Sequence, residues 1–248
     1  MEIRALEKIY GTHSVRAIFL TRPDSVRRVI LLDGKKNYLN KEFTELARSV
    51  KIEPEILVWK KFIHETGLTK DEKHQGVCIF AEPRKIYSEN DLAILRDNRL
   101  ILALDQISNP QNLATVLRSS AFFGVDAIIL LKNRSADITP IVTRIAVGGA
   151  EFVKIFKVIN LARSLDILKE YGFWIYGLDE RGQKTLAETD FDEKTVFVVG
   201  AEGEGLRQRT TKFCDELVRI PGGRLGLESL NAGVATAVAL AEFFRNKC

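Results

Sequence analysis

The second half of the chain alternates short apolar runs with segments of helical pattern. The runs at 100–104 and 196–199 contain no polar alternation, which is typical of strands buried on both faces of a parallel sheet. The alternation predicts an α/β domain over residues 99–248, with a mostly parallel sheet, helices on both faces and right-handed crossovers. Its other strand-like runs and helical segments lie at 125–131, 152–158, 161–171, 173–177 and 217–220.

The first third of the chain has shorter and more mixed elements. Their order predicts a small α/β domain over residues 1–85. Residues 86–98 are polar and charged with little pattern, so we expect a linker there. The strand-like and helix-like pieces of the first domain lie at 29–32, 43–50, 56–59 and 77–80.

A helix with a clear start follows the apolar run at 100–104. Asn109 is placed to cap this helix, Pro110 occupies its first turn, and Gly124 marks its end. Arg118 lies next to the packed face of the helix, so it must either find a partner or line a cleft. The packed face itself is predicted to consist of Leu113, Val116, Leu117, Ser120 and Ala121.

A glycine-rich loop at 200–205 directly follows the run at 196–199. Its three glycines allow a sharp bend and let a ligand approach the backbone closely. Its two carboxylates, Glu202 and Glu204, would repel a di- or triphosphate at close range. The loop therefore suits a ligand with an adenosine, a cationic centre and no phosphate, although ordinary loop chemistry in any α/β domain gives the same pattern.

A second sharp turn and a helix start complete a candidate pocket. The strand-like residues 217–220 run into a Pro-Gly-Gly turn. Ser229 stands where an N-cap belongs, ahead of a helix predicted over 230–244. Ser229 and Asn231 are therefore expected where free amide N–H groups and side-chain donors gather.

Composition and charge narrow the class of protein without selecting a function. Apolar residues at 46% and charged residues at 28% are those of a soluble globular protein, and the net charge of +4 permits a nucleic-acid partner without requiring one. No apolar run approaches the roughly 20 residues of a membrane span. The three cysteines and three histidines fit no disulfide or metal-site spacing, so we expect a cytosolic protein without a bound metal.

Basic residues in the first domain form the candidate RNA-binding surface. Such clusters are what phosphate neutralisation requires, although a solvated face has the same composition. The residues are Arg16, Arg22, Arg27, Arg28, Lys35 and Lys36.

Three motifs in this order resemble those of the SpoU branch of the SPOUT RNA methyltransferases. The first is NPQNLATVLR at 109–118, the second is GAEGEGL at 200–206, and the third joins IPGG to SLNAGVATAV at 229–238. IYGTHSV and HQGV extend the likeness towards the N-terminus, over nearly the full chain. The chain is most similar to the bacterial enzymes that methylate guanosine 2′-oxygens in 23S ribosomal RNA.

The resemblance implies a fold, a cofactor and partners. It implies a deep trefoil knot in the C-terminal domain, of which the residue pattern itself gives no sign. It also implies RNA as substrate, an N-terminal domain that helps to hold the RNA, and a homodimer with the C-terminal helix at or near its interface. S-adenosyl-L-methionine is the implied cofactor, bound by Gly200, Ala201, Glu202, Ile220, Leu230 and Asn231.

The polar motif positions are the implied catalytic residues. Arg118 matches the position that the family is thought to use to activate the 2′-hydroxyl. A charged guanidinium donates hydrogen bonds and accepts none, so we expect it to grip the adjacent phosphate and stabilise the developing alkoxide. Whether Glu202 or solvent takes the proton is open. The full set is Asn112, Arg118, Glu202, Ser229 and Asn231.

Other functions stay open at this point. Transfer RNA is the alternative substrate. A nucleotide-dependent oxidoreductase is disfavoured because no GxGxxG opens a helix after an early strand. A non-catalytic RNA-binding protein on the same fold is disfavoured by the intact polar positions. The sequence departs from the family at Ala114, Gly222 and Ala232-Gly233, which affects the expected shape of the cofactor loops.

Overall fold

The computed structural model describes residues 6–34, 37–203, 205–222 and 229–247. The elements of the first third are β1 (Glu7–Tyr10), α1 (Thr12–Thr21), β2 (Val26–Leu32), α2 (Asn37–Ser49), β3 (Glu55–Leu57), α3 (Trp59–Thr66) and β4 (Val77–Ala81). They are followed by β5 (Ile86–Tyr87), β6 (Leu100–Asp105), α4 (Pro110–Phe122), β7 (Ala127–Leu131), α5 (Pro140–Ile145), β8 (Lys154–Val158), α6 (Leu161–Glu170), β9 (Trp174–Leu178), β10 (Lys184–Thr185), β11 (Thr195–Gly200), α7 (Gln208–Thr211), β12 (Glu216–Arg219) and α8 (Ala232–Lys247). Short 3-10 helices lie at Pro23–Ser25, Glu89–Leu95, Gly149–Glu151 and Leu186–Glu188.

The chain folds into two compact units, and both are discontinuous in sequence. The first unit comprises Met1–Arg84 together with Thr139–Phe152. The second comprises Lys85–Ile138 together with Val153–Cys248. A segment that follows β7 in the predicted C-terminal domain therefore packs as part of the first unit.

Residues 86–98, expected to form a linker, contribute regular structure to the second unit. Strand β5 pairs in parallel with β8, with Ile86 opposite Ile155. The 3-10 helix that follows buries Leu92 and Leu95 in the core of the larger sheet. A two-residue strand and a short 3-10 helix carry too little periodicity to be read from a polar segment.

The first unit is built on a four-stranded sheet in the order β1-β4-β2-β3. Strand β4 is antiparallel to β1 and β2, and β3 pairs in parallel with β2. Helices α1 and α2 cover one face, where Val15, Ile18 and Phe43 join the core. Phe62 of α3 is buried on the other face.

The returning segment, residues 139–152, is held in the first unit by close packing and buried charge. Gly148 has φ +78°, and a Cβ on it would lie 2.5 Å from the Cβ of Ala17. Arg22 Nε donates to Glu151 Oε2 at 2.7 Å, and Arg84 Nη2 lies 3.0 Å from Glu151 Oε1 as an ion pair without hydrogen-bond geometry. The Glu151 side chain is only 2% exposed, so its charge is stabilised almost entirely by these two arginines.

The second unit confirms the predicted parallel sheet. Its strand order is β10-β12-β9-β11-β6-β7-β8-β5, and every described pairing is parallel. Helix α6 covers one face through Leu165 and Leu168. Helix α8 covers the opposite face, where the ring of Phe243 lies 6.0 Å from that of Phe197 on β11. A sheet covered on both faces explains why its strands read as continuous apolar runs.

The sequence predicted the start of α4 correctly and the start of α8 incorrectly. Asn109 caps α4 as expected, and its side chain accepts a hydrogen bond from the backbone N–H of Gln111. The predicted start of the last helix at Ser229 was wrong. The side chain of Asn231 accepts from the backbone N–H groups of Gly233 and Val234, so it caps α8 in place of Ser229.

The trefoil knot and membrane-spanning helices are two further points on which the sequence made a prediction. The trefoil knot depends on the path between β12 and α8, and residues 223–228 lie outside the described residues, so the knot stays a prediction. None of the helices in the described ranges has the length and apolarity needed to cross a membrane.

We predict that Glu151→Gln lowers the free energy of unfolding by about 3 kcal/mol, because it leaves two arginines partly uncompensated in a buried site. Denaturant unfolding followed by circular dichroism measures the change. Glu53→Gln is the matched control, since the Arg48–Glu53 pair is exposed and its loss should leave the midpoint unchanged. Equal midpoints for the two variants would contradict this role for Glu151.

Candidate active site

The loops after β6 and β11 meet at one edge of the sheet. The register of the two strands places Gly200 opposite Asp105, at the carboxyl end of each. In open parallel sheets, ligands bind outside the carboxyl ends of the strands where the strand order changes direction. Strand β6 has β7 on one side and the later strand β11 on the other, so this edge is such a point.

Asp105, the last residue of β6, fixes the far end of the glycine-rich loop. Its buried carboxylate accepts hydrogen bonds from Arg207 Nε at 2.7 Å and from Thr210 Oγ1 at 2.6 Å. The sequence analysis did not single out Asp105 or Arg207. The sequence did contain a sign of this contact: an aspartate directly follows an apolar run typical of a buried strand, where a carboxylate requires a partner.

The glycine-rich loop bends as sharply as its composition predicted. Gly205 N donates to Ala201 O at 2.9 Å, so the loop closes on itself. A Cβ on Gly200 would lie 2.1 Å from the carbonyl carbon of Gly205, a distance that excludes any side chain at this position. Gly203 has φ +83°, which favours glycine at the tip.

Three of the predicted catalytic residues form one hydrogen-bonded set, which we call the amide–carboxylate triangle: Asn112, Glu202 and Asn231. Asn112 Nδ2 donates to Glu202 Oε2 at 2.9 Å, and Asn231 Nδ2 donates to Asn112 Oδ1 at 2.8 Å. Asn231 Nδ2 also lies 3.3 Å from Glu202 Oε1 and donates to it. The triangle therefore joins the start of α4, the loop after β11 and the start of α8.

The other predicted catalytic residues lie outside the triangle. Arg118 is exposed on α4, and none of the described carboxylates lies within ion-pair distance of it. Ser229 is exposed two residues before the Asn231 cap, and Leu230 beside it is also exposed. Six residues separate Asn112 from Arg118 on α4, which places them on different faces, as the helical spacing predicted.

The predicted cofactor residues are distributed over three loops. Gly200 ends β11, and Ala201 begins the closed loop. Ile220 follows β12 and is half-buried. Leu230 and Glu202 are both exposed, and residues 223–228, which lie between Ile220 and Leu230 in the chain, are outside the described residues.

The arginines of the predicted RNA-binding surface are engaged in ion pairs. Arg16 pairs with Glu42, and Arg22 pairs with Glu7 and Glu151. Ion pairing reduces the positive charge that these groups present to a phosphate. RNA contact by this set stays a prediction, and Lys35 and Lys36 lie outside the described residues. The remaining pairs are Arg27 with Glu82, and Arg28 with both Glu55 and Glu65.

Metal or thiol chemistry finds no support in the described part of the chain. There, no group of three or more His, Cys, Asp and Glu side chains is arranged to hold a metal ion. Burial raises the pKa of the Cys78 and Cys214 thiols to about 12, so both stay protonated at neutral pH.

Comparisons with known proteins agree with the motif reading. Residues 99–241 match the sequence model of the SpoU rRNA Methylase family. The 23S rRNA (guanosine-2′-O-)-methyltransferase RlmB of Pseudomonas aeruginosa is 36% identical over 245 residues, which cover 97% of each chain. The protein of the same name from Escherichia coli K12 is 34% identical and covers 97% of this chain and 99% of its own.

A solved structure supports the fold. The SpoU methyltransferase AviRb from Streptomyces viridochromogenes, in complex with the cofactor AdoMet, superposes with a TM-score of 0.77. The superposition covers 98% of this chain and 91% of that one, at 21% sequence identity. The match to the family over more than half of the chain and the identity to full-length relatives lead to one conclusion: the chain belongs to the SpoU rRNA methylase family.

Proposed function

We propose that the chain is an S-adenosylmethionine-dependent methyltransferase that acts on the ribose 2′-oxygen of a guanosine in 23S ribosomal RNA. The observation that carries this proposal is the amide–carboxylate triangle, because it brings all three family motifs to the carboxyl edge of a parallel sheet. Relatives that match over nearly their whole length are named for this reaction on 23S rRNA.

The residues at this edge fit a cationic adenosine cofactor better than a nucleotide phosphate. Glu202 lies exposed in a closed loop, and Arg207, the basic residue that follows this loop, is paired with Asp105. S-adenosylmethionine, when bound, supplies a methyl group on a sulfonium, and a carboxylate favours that charge. We assign its binding to Gly200, Ala201, Glu202, Ile220, Leu230 and Asn231.

Arg118 acts on the acceptor in this proposal. It is exposed, and no described carboxylate pairs with it, so its guanidinium is available to an RNA phosphate and to the oxyanion that develops on the ribose. Both oxygens of Glu202 already accept hydrogen bonds from asparagine amides. We assign Glu202 the role of holding the two amides, and the departing proton to solvent. Ser229 is assigned to the rim of the same site.

A ribosomal RNA substrate gives the first unit a role and the enzyme a cellular location. The first unit contributes to RNA binding, and the enzyme works in the cytoplasm, where ribosomal RNA is made and assembled in bacteria such as those of its relatives. Transfer RNA is the second candidate substrate, because the motifs specify ribose methylation and not the RNA that carries it.

A homodimer is part of the proposal. Gly233 packs within the chain, since a Cβ on it would lie 2.9 Å from Thr115 of α4, so that side of α8 is already covered. Towards the carboxyl ends of α4 and α8, large apolar side chains are exposed, with Phe122 at 81% and Phe244 at 48%. Val234 and Val238 extend this surface along α8. A continuous apolar surface of this kind suits a second copy of the chain.

The substrate is tested by offering 23S and transfer RNA transcripts with labelled S-adenosylmethionine and digesting the products to nucleosides. We expect label in 2′-O-methylguanosine from the 23S transcript, because the full-length relatives carry this specificity in their names. Label only from transfer RNA, or on a base, would refute the proposal.

Arg118→Ala should lower kcat for methyl transfer by about 100- to 1,000-fold, because it removes a donor to the developing oxyanion. The Kd for S-adenosylmethionine should stay within twofold, as measured by calorimetry. Arg118→Lys should also be poor, since lysine lacks the bidentate fork. Arg163→Ala on α6 removes an exposed arginine from another helix of the same unit and is the matched control. Near-wild-type turnover of Arg118→Ala would exclude this role.

Phe244→Asp should convert the dimer to monomer at micromolar concentration, because a desolvated carboxylate is costly in an apolar interface. Sedimentation velocity measures the change. Ile159→Asp places the same charge on an exposed apolar position away from α4 and α8 and should leave the dimer intact. A wild-type protein that sediments as a monomer would contradict the proposed assembly.

A further inference from the structure

The first unit contains a cleft that the proposed chemistry does not use. Its volume is about 480 Å³, which is in the range of sites that hold a small organic ligand. It lies between the start of α1, the start of α2 and the loop that precedes β4. Its lining includes Thr12, Tyr38, Lys70, Glu72, Lys73 and Gln75.

The floor of the cleft is held in place by hydrogen bonds that cross from the loop to the helix. Gln75 Oε1 accepts from both the backbone N–H and the hydroxyl of Thr12, each at 3.0 Å. Gln75 has φ +56°, an unfavourable backbone conformation for this residue type that the crossing contact compensates. His74 is buried beneath the loop, where its ring lies 4.9 Å from that of Phe62. The loop therefore keeps a defined shape.

The charge on the cleft walls is positive. Lys70 and Lys73 are exposed, and none of the described carboxylates forms an ion pair with either of them. The one acidic residue of the lining, Glu72, accepts hydrogen bonds from the backbone N–H of Thr69 at 2.7 Å and from the hydroxyl of Tyr10. The Thr69 N–H lowers the pKa of the Glu72 carboxyl, so Glu72 stays ionised and is held by Thr69 of its own loop and by Tyr10 of β1.

This charge distribution differs from that of the predicted basic surface. Arg27 and Arg28 each pair with glutamates of their own unit, which leaves little net field at those positions. Arg16 at the cleft pairs with Glu42. The two lysines are therefore the groups of this region best able to neutralise phosphates.

Aromatic surface stands beside these cations. Tyr38, at the start of α2, is 63% exposed and lines the cleft, as does the exposed imidazole of His13. Lys70 Nζ lies 5.8 Å from the ring centroid of Trp59, and neither lysine has a carboxylate partner among the described residues. An exposed aromatic ring together with such lysines is the combination with which proteins bind single-stranded nucleic acid. In a duplex, the bases are stacked on each other and present no face to a ring in a closed cleft.

We propose that this cleft holds one unpaired nucleotide of the RNA substrate, with its base on Tyr38 and its flanking phosphates on Lys70 and Lys73. This inference rests on the proposed function, since it gives the first unit its part in holding RNA. The cleft accepts any base at this position, because stacking and charge carry no sequence information. It thus selects RNA that has an unpaired residue over continuous duplex.

The test measures binding of full-length protein to a 23S hairpin transcript with an unpaired loop, by filter binding at several salt concentrations. Tyr38→Ala should weaken binding about tenfold with an unchanged salt slope, because it removes stacking only. Tyr38→Phe should bind like wild type. Lys70→Ala/Lys73→Ala should make the plot of log K against log salt less steep by about 1.4.

A matched double variant controls for loss of positive charge as such. Lys60→Ala/Lys61→Ala removes two exposed lysines from α3 of the same unit, outside the cleft, and should leave Tyr38-dependent binding unchanged. Thermal unfolding and S-adenosylmethionine affinity, both expected to match wild type, verify that each variant folds.

The outcomes separate this inference from the proposed function. If wild type methylates the 23S transcript while Tyr38→Ala and the Lys70/Lys73 variant bind it normally, the cleft assignment is wrong and the function stands. If wild type fails to methylate 23S RNA, the proposed function is wrong, and tyrosine-dependent preference for a looped over a fully paired RNA still tests the cleft. If the Lys60/Lys61 variant lost as much binding as the Lys70/Lys73 variant, the loss would come from net charge alone, and the proposal would be overturned.

Discussion

Parallel pairing of β11 with β6 is the constraint on which the candidate site depends. Because side chains alternate along a strand, a slip of one residue would turn Asp105 away from its partners and separate the two loops. In the observed register, the glycine-rich loop is fixed at both ends, by Gly200 within the strand and by the bond from Arg207 to Asp105. A buried carboxylate is costly unless it is paired, so the same contact that positions the loop also stabilises the sheet edge.

The amide–carboxylate triangle uses this fixed edge to orient polar groups. Asn112 and Asn231 are 119 residues apart, yet each uses both its amide nitrogen and its amide oxygen in contacts that fix its orientation. The capping bond to α8 and the bond to Asn112 come from opposite ends of the same Asn231 side chain. A hydrogen-bonded set of this kind is rigid before any ligand arrives, which is the condition for electrostatic stabilisation of a transition state.

The sequence predicted a structural feature correctly where that feature depends on a single segment of the chain. Apolar runs located six of the eight strands of the larger sheet, all except the two-residue strands β5 and β10, and the Asn-Pro pair located the start of α4. It failed where the feature depends on a contact with a residue distant in sequence. Ser229 and Asn231 are both good capping residues, and only the bond from Asn231 to Asn112 selects between them. The arginines of the basic cluster show the same limit. Their glutamate partners lie on other elements, as Glu55 on β3 does for Arg28 on β2, so the sequence alone indicated a basic patch without compensating acids. Asp105 was not singled out because its partners come 102 and 105 residues later in the chain.

The return of residues 139–152 to the first unit has a consequence for the order in which the chain matures on the ribosome. Synthesis proceeds from the N-terminus, so Glu7 is the carboxylate partner available to Arg22 and Arg84 until Glu151 has been added and has left the exit tunnel. By then β6 and β7 have been made, but β9, β11 and β12 have not. All residues of the first unit have therefore been synthesised before the strands that complete the larger sheet. The first unit can close earlier than the second, and the interval between the two is set by the rate of translation.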